Sequence, residues 1–173
     1  APEYVVFEGP GMDAFAESPE WGGSLVIFPF MYYETYGDDS LIKKYYQHMR
    51  RYTDYLKTRA DNGILSFGLG DWYDYGDFRT GFSRNTPVPL VATAHYYMTV
   101  MYLIKAARMV GNEFDVRYYS SLAYDIMVAF NKRFLDSNTA QYGTGSQASN
   151  ALPIFLQMTQ STGDKGDYTP DAS

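Results

Sequence analysis

The sequence predicts an all-α fold in which antiparallel helix hairpins form part of an α/α toroid. Five segments carry apolar residues at the three- and four-residue spacing of a helix. The connections alternate between short ones, near residues 37–40 and 111–114, and long ones over residues 61–87 and 137–147. This alternation gathers the long loops on one rim, as in a toroid or an α-solenoid. A solenoid would show a repeat of fixed period, and the sequence shows none.

The first helix is expected to begin at Trp21, after an irregular lead-in. Residues 1–20 are rich in proline and glycine, which predicts that lead-in. Pro29 is expected to kink the helix or to start a new first turn, and Gly37 is the expected C-cap. The apolar residues at helical spacing in this segment are Leu25, Phe28, Met31, Tyr32 and Tyr36.

The second helix is expected over residues 40–60, with Asp39 or Ser40 as its N-cap. Its sequence is amphipathic, which predicts one face against the core. That face is predicted to consist of Leu41, Tyr45, Met49, Tyr52 and Leu56.

Three more helices are expected after the first long loop. They span residues 88–111, residues 112–136 and about residues 147–159, the last being interrupted near Pro153. Residues 161–173 are polar and are predicted to form a loose tail. In the fourth helix the apolar positions in phase are Phe114, Leu122, Ile126, Ala129 and Phe130.

Composition excludes several classes of function. The net charge of −6 argues against nucleic acid as a partner, because phosphate binding needs clustered Lys and Arg. No apolar run approaches eighteen residues, so no membrane span is expected. With no cysteine there are no disulfides or thiolate metal sites, although this does not fix the compartment. A periplasmic or secreted location is favoured for the parent protein. The 18 Tyr, 11 Phe and 2 Trp suit both packing and a carbohydrate surface.

The stretch "GLGDWYDYGDF" stands out within the first long loop. It places Asp71, Asp74 and Asp77 around Trp72, one of the two tryptophans. Hydrogen bonding to sugar hydroxyls or acid–base chemistry is the functional interpretation, and Asx-turn chemistry is the structural alternative. A calcium loop is not favoured, because the twelfth position counted from Asp71 is Phe82, where an EF-hand needs glutamate. No metal site is expected.

Four stretches in order resemble the catalytic domain of bacterial α-L-rhamnosidases. They are "PEWGGSLVIFPFMYYETYGDD", "GDWYDYG", "TPVPLVATAHYYMTV" and "GSQASNALPIFLQM", and the resemblance covers about residues 19–158. These enzymes are inverting glycoside hydrolases with an (α/α)6 barrel. The resemblance therefore implies that residues 1–173 are part of such a barrel, acting without a cofactor on a rhamnose-containing glycoside.

The resemblance also implies roles for individual positions. Trp21 and Trp72 correspond to tryptophans that line the rhamnose pocket, and Gln147 matches a glutamine that opens an inner helix. Gly23 stands where the family often has aspartate, and Ser146 replaces the usual threonine. The expected substrate-binding residues are Trp21, Asp71, Trp72, Tyr73 and Asp74.

The catalytic acid and base are expected outside this chain. In the family the acid lies in an acidic motif upstream of the "WG" helix, which residues 1–20 lack, and the base lies beyond Ser173. An inverting hydrolase needs two carboxyl groups ~6.5–9.5 Å apart. The chain is thus expected to be an inactive middle part of the barrel, and its open faces are expected to favour self-association.

Other interpretations remain open at this point. The chain could come from another toroidal carbohydrate enzyme, such as an unsaturated-glycuronyl hydrolase or a trehalase-like protein, or it could be a non-enzymatic helical scaffold. Trp21 could merely plug a barrel end, and packing is favoured over sugar contact for His95. The roles of Glu17, Glu20 and Asp77 also stay open.

Overall fold

Six helices and a two-stranded hairpin form the part of the chain that the structure describes. A computed structural model describes residues 15, 17–74, 76–81 and 83–159. The predicted lead-in before Phe15 and the predicted tail over residues 161–173 lie outside the described residues. The elements are α1 (Pro19–Gly22), α2 (Ser24–Tyr36), α3 (Ser40–Arg59), α4 (Val88–Met109), α5 (Glu113–Phe134), β1 (Leu135–Asp136), β2 (Gln141–Tyr142) and α6 (Gln147–Phe155).

Helix α4 lies at the centre, because α1, α2, α3, α5 and α6 all pack against it. Thirteen of its 22 residues are buried, and they occupy almost every side of the helix. A helix that is apolar all round is stable in water only when its neighbours cover it. The described residues form two helix hairpins, α2–α3 and α4–α5, followed by α6, which confirms the predicted all-α hairpin architecture.

The predicted first helix is divided in two at Gly23. A Cβ at this position would lie 3.1 Å from the Pro19 carbonyl oxygen and 3.2 Å from the Thr99 hydroxyl oxygen, so the corner between α1 and α2 packs closely on α4. Pro29 lies inside α2 and is buried, and it does not start a new helix.

The apolar stripe of α2 that its periodicity indicated is exposed. Val26, Pro29 and Phe30 are the buried residues of this helix, whereas Phe28 is 61% exposed and Tyr36 is 70% exposed. The segment is apolar on all sides, so the helical spacing of its apolar residues could not show which side packs on α4. The remaining exposed members of the stripe are Leu25, Met31 and Tyr32.

The buried face of α3 is rotated slightly from the predicted one. Met49 and Leu56 are buried as predicted, but Tyr45 and Tyr52 are only half-buried. The buried residues of α3 are Ile42, Tyr46, Met49, Thr53 and Leu56.

In α5, Ile126 and Phe130 are buried as expected, whereas Phe114 is 67% exposed.

The long loops meet at one end of the hairpins, as predicted. The Thr144 hydroxyl donates to the Asn85 carbonyl at 2.7 Å, which joins the loop before α6 to the loop before α4. At the other end, the short turns use left-handed glycines, with φ of 69° at Gly37 and 73° at Gly111.

The segment between α5 and α6 forms a short antiparallel hairpin that the sequence did not predict. Its two strands pair Leu135 with Tyr142, and two-residue strands are too short to show a period. Pro153 does not interrupt α6, which continues to Phe155. Within the described residues, no helix combines the length and the apolar character needed to cross a membrane.

Two buried tyrosines of the core should respond oppositely to loss of the hydroxyl group. Among the described residues, the Tyr96 hydroxyl has no hydrogen-bond partner, whereas the Tyr46 hydroxyl donates to Asp115 Oδ2. Tyr96→Phe should therefore raise the free energy of unfolding by about 1 kcal/mol, and Tyr46→Phe should lower it by about 1–2 kcal/mol. Denaturant melts of both variants measure this. A loss of stability in Tyr96→Phe would show that its hydroxyl is satisfied.

Candidate functional site

The two tryptophans meet across Phe15 at the end of the hairpins where the long loops gather. The Phe15 ring lies 5.9 Å from the Trp21 ring and 5.1 Å from the Trp72 ring, edge to face in both cases. Trp21 is 39% exposed and Trp72 is 40% exposed, so neither ring is a core residue. We call these three residues the aromatic rim. Phe15 was not predicted, because it lies in the lead-in where no periodicity marks it.

Glu20 joins α1, which carries Trp21, to the loop that carries Trp72. Its Oε1 accepts the Gly70 N–H at 2.9 Å, and its Oε2 accepts the Leu69 N–H at 3.3 Å. Gly68 has φ of +136°, and a Cβ there would lie 2.6 Å from Glu20 Oε2. Only glycine therefore allows the loop to come this close to α1. The carboxylate joins the residue before Trp21 to the turn before Trp72.

Asp71 is held by a partly buried chain of hydroxyl groups. Its Oδ2 accepts a hydrogen bond from the Thr86 hydroxyl at 3.0 Å, and Thr86 is only 1% exposed. The Thr86 oxygen lies 2.9 Å from Ser146 Oγ, and Ser146 is the N-cap of α6, where its Oγ accepts the Ser149 N–H at 3.1 Å. Asp71 is thereby tied to the helix that begins with Gln147. Thr86 was not predicted, because the contact joins residues far apart in the sequence.

The buried side chain of Asp74 bonds to the backbone at the far end of the same loop. It is 4% exposed, and its Oδ2 accepts the backbone N–H groups of Arg84, Asn85 and Thr86 at 3.0, 2.5 and 2.7 Å. A carboxylate that accepts several backbone N–H groups is a strong local crosslink. The structure therefore favours the loop-forming alternative for Asp74 over the predicted sugar contact.

Tyr73 extends the exposed aromatic surface beside Trp72. Its ring lies 6.0 Å from the Trp72 ring, and the side chain is 67% exposed. The backbone has φ of +69°, which is unusual for a residue with a Cβ. A hydrogen bond of 2.7 Å from the Tyr73 N–H to the Gly81 carbonyl holds this conformation.

The other acids and the histidine near this end have structural partners. Glu17 forms an ion pair with Arg59, and hydrogen bonding from Tyr55 together with the Arg59 charge lowers the pKa of Glu17. His95 Nδ1 lies 2.9 Å from the Val91 carbonyl oxygen one turn earlier in α4, which supports packing over sugar contact. Asp77 is exposed. Among the described residues, no group of three His, Asp or Glu side chains could hold a metal ion.

The aromatic rim and its polar supports are suited to binding. Two exposed indole rings present apolar faces, and the Asp71 carboxylate beside Trp72 can accept hydrogen bonds from a ligand. Such a mixture of ring faces and a few fixed polar groups is typical of small-molecule sites. Both Glu20 carboxylate oxygens accept backbone hydrogen bonds, so the role of this residue at the rim is to hold the loop in place.

A comparison of two aspartates of the loop tests whether Asp74 stabilises the fold through its hydrogen bonds rather than through its negative charge alone. Asp74→Ala should lower the free energy of unfolding by about 2–4 kcal/mol, because three backbone N–H groups lose their acceptor, that of the buried Thr86 among them. Asp77→Ala, at an exposed position of the same loop, is the control and should change it by less than about 0.5 kcal/mol. Chemical denaturation monitored by circular dichroism gives both values. Equal effects in the two variants would rule out the crosslinking role.

Comparison with known proteins identifies the family of the chain. Residues 1–169 match the family model described as the bacterial alpha-L-rhamnosidase 6 hairpin glycosidase domain. An alpha-L-rhamnosidase of Formosa agariphila is 30% identical over 121 residues, which is 67% of this chain and 12% of that protein. Another, from Streptomyces avermitilis, is 27% identical over 140 residues, which is 80% of this chain and 12% of that protein. The chain thus spans about an eighth of the length of these curated relatives.

Solved structures agree with this result. The alpha-L-rhamnosidase from Dictyoglumus thermophilum superposes with a TM-score of 0.76 at 30% identity, over 87% of this chain and 17% of that one. The Streptomyces avermitilis alpha-L-rhamnosidase complexed with L-rhamnose has the same fold, with a TM-score of 0.73 at 22% identity over 83% of this chain and 13% of that one. This chain belongs to the bacterial α-L-rhamnosidase six-hairpin glycosidase family.

Proposed function

We propose that the chain supplies part of the sugar pocket of a glycoside hydrolase that removes terminal α-L-rhamnose by inverting hydrolysis. The observation that carries the proposal is the pairing of Trp21 and Trp72 across Phe15, at the end where the long loops meet. Relatives named alpha-L-rhamnosidase support this substrate class over those of glycuronyl hydrolases or trehalases. They also support an enzyme over a non-enzymatic scaffold.

The aromatic rim provides apolar surfaces for the C–H faces of the sugar ring. Trp21 and Trp72 are amphipathic side chains whose rings are half exposed, which suits contact with a ligand that has apolar and polar edges. Tyr73 adds an exposed phenol beside Trp72. These three side chains form the pocket wall in the proposal.

Asp71 is the proposed acceptor of a sugar hydroxyl. Thr86 engages Asp71 Oδ2, and Oδ1 is the oxygen proposed to face the sugar. Because Thr86 is itself held by the N-cap of α6, the carboxylate has a defined orientation before the ligand arrives. Such preorganisation reduces the entropy lost on binding. Asp74, with its three backbone partners, takes no part in sugar binding in this proposal.

The general acid and the general base are proposed to lie outside these 173 residues. Inversion requires one carboxylic acid at the leaving oxygen and one carboxylate across the ring that activates water, ~6.5–9.5 Å away. Asp71 and Glu20 are both engaged as hydrogen-bond acceptors within one edge of the pocket. The isolated chain is therefore expected to be inactive, and no cofactor is required.

Exposed apolar residues of α2 and α6 should make the isolated chain prone to self-association. Phe28 is 61% exposed, and in α6 Phe155 is 78% exposed and Ile154 is 65% exposed. Apolar surface of this kind is normally covered by a neighbour. Neighbouring hairpins of a complete toroid would cover it, and in their absence we expect these faces to drive self-association.

The role of Asp71 can be tested in a protein that carries this segment within a complete six-hairpin domain. Asp71→Asn should lower kcat/KM for an aryl α-L-rhamnoside by about ten- to a hundredfold, the loss expected for one hydrogen bond to a charged group. Asp77→Asn is the matched control, and its kcat/KM should be unchanged. If Asp71→Asn keeps the parent kcat/KM, Asp71 does not contact the sugar.

A further inference from the structure

A second groove lies between α3 and α5, and none of its lining residues belongs to the aromatic rim. Its volume is about 420 Å³, within the range of small-molecule sites. We call it the α3–α5 groove. Its main lining residues are Arg50, Asp54 and Lys57 of α3 with Phe114, Asp115 and Tyr118 of α5.

The floor of the α3–α5 groove is a fixed polar network. Asp115 is 2% exposed, and its Oδ2 lies 3.2 Å from Arg50 Nε and accepts a hydrogen bond from Asn112 Nδ2 at 2.8 Å. Beside it, the buried Tyr119 hydroxyl donates to Asp54 Oδ1 at 2.8 Å. These contacts hold the arginine and both carboxylates in place before any ligand binds.

The charges of the groove cancel. Arg50 and Lys57 contribute two positive charges, and Asp54 and Asp115 contribute two negative ones, so the formal sum is zero. An anion or a cation would therefore gain attraction from one pair and repulsion from the other. A neutral ligand with many hydroxyl groups can instead use the donors and the acceptors together.

One wall of the groove is an exposed aromatic strip. The rings of Phe114 and Tyr118 are one helical turn apart, with an interplanar angle of 8° and centroids 6.4 Å apart. Phe114 is 67% exposed and Tyr118 is 39% exposed. Lys57 Nζ lies 4.9 Å from the Tyr118 ring centroid and steadies that ring. Nearly parallel rings beside fixed hydrogen-bonding groups match the apolar face and polar edge of a pyranose.

We propose that the α3–α5 groove binds a neutral sugar ring, as a second carbohydrate contact of this chain. Phe114 and Tyr118 form the apolar platform, and Arg50 and Asp54 are the hydrogen-bonding groups at its edge. All of the residues that line the groove belong to α3 and α5. The proposal does not depend on the role assigned to the aromatic rim.

The test is a nuclear magnetic resonance titration of the 173-residue chain with L-rhamnose, D-glucose and D-glucuronate. The neutral sugars should shift the backbone amide signals of residues 114–119 with millimolar affinity, and D-glucuronate should bind more weakly. Phe114→Leu, which removes the ring and keeps an apolar side chain, should weaken binding at least about tenfold, or about 1.4 kcal/mol. Phe114→Tyr keeps the ring and should bind like the parent. Trp72→Ala should leave these shifts unchanged.

Three results would overturn the proposal. The first is the absence of shifts at residues 114–119, or shifts confined to the aromatic rim. The second is equal or tighter binding of D-glucuronate, which would make the groove an anion site. The third is unaltered binding in Phe114→Leu, since the platform would then be irrelevant. Because Phe114 is largely exposed, the leucine variant should stay folded, and circular dichroism checks this.

Discussion

The burial of α4 is the constraint on which the rest of the structure depends. This helix is apolar on nearly every side, so it must be covered by α2, α3, α5 and α6 at once. Covering it sets the positions of both hairpins, and it places the start of α4 where the long loops converge. The hydroxyl oxygen of Thr93, near that start, accepts a hydrogen bond of 3.1 Å from the Leu65 N–H, and this bond attaches the loop to the core. The candidate site is therefore attached to the buried core of the chain.

Two carboxylates hold the long loop before α4 in a defined conformation. Asp74 gathers three backbone N–H groups from inside, and Glu20 joins the loop to α1. Neither of these two acids needs to contact a ligand for the site to depend on it. Their role is to keep Trp21 and Trp72 on either side of Phe15. These two carboxylates thus organise the backbone of the loop.

The sequence predicted the helices, their hairpin order and the end at which the loops gather, because these follow from local periodicity and from loop length. The resemblance to the family pointed to Trp21 and Trp72 as pocket residues, and in the structure both rings contact Phe15. The sequence misjudged α2, where Phe28 and Tyr36 are exposed, since a segment that is apolar on all sides carries no information about which side packs. The contacts of Glu20 with Gly70, and of Thr86 with Ser146, join residues 50 and 60 positions apart, so no local pattern could indicate them.

The central claim is that Trp21 and Trp72 face one sugar. It is tested most directly by fluorine magnetic resonance of a complete six-hairpin protein that carries this segment, labelled with 5-fluorotryptophan. The two signals would be assigned with Trp21→Phe and Trp72→Phe. Addition of L-rhamnose should shift both signals along one saturation curve with a common Kd. If neither signal moves while the protein still binds L-rhamnose, the aromatic rim is not part of the sugar pocket.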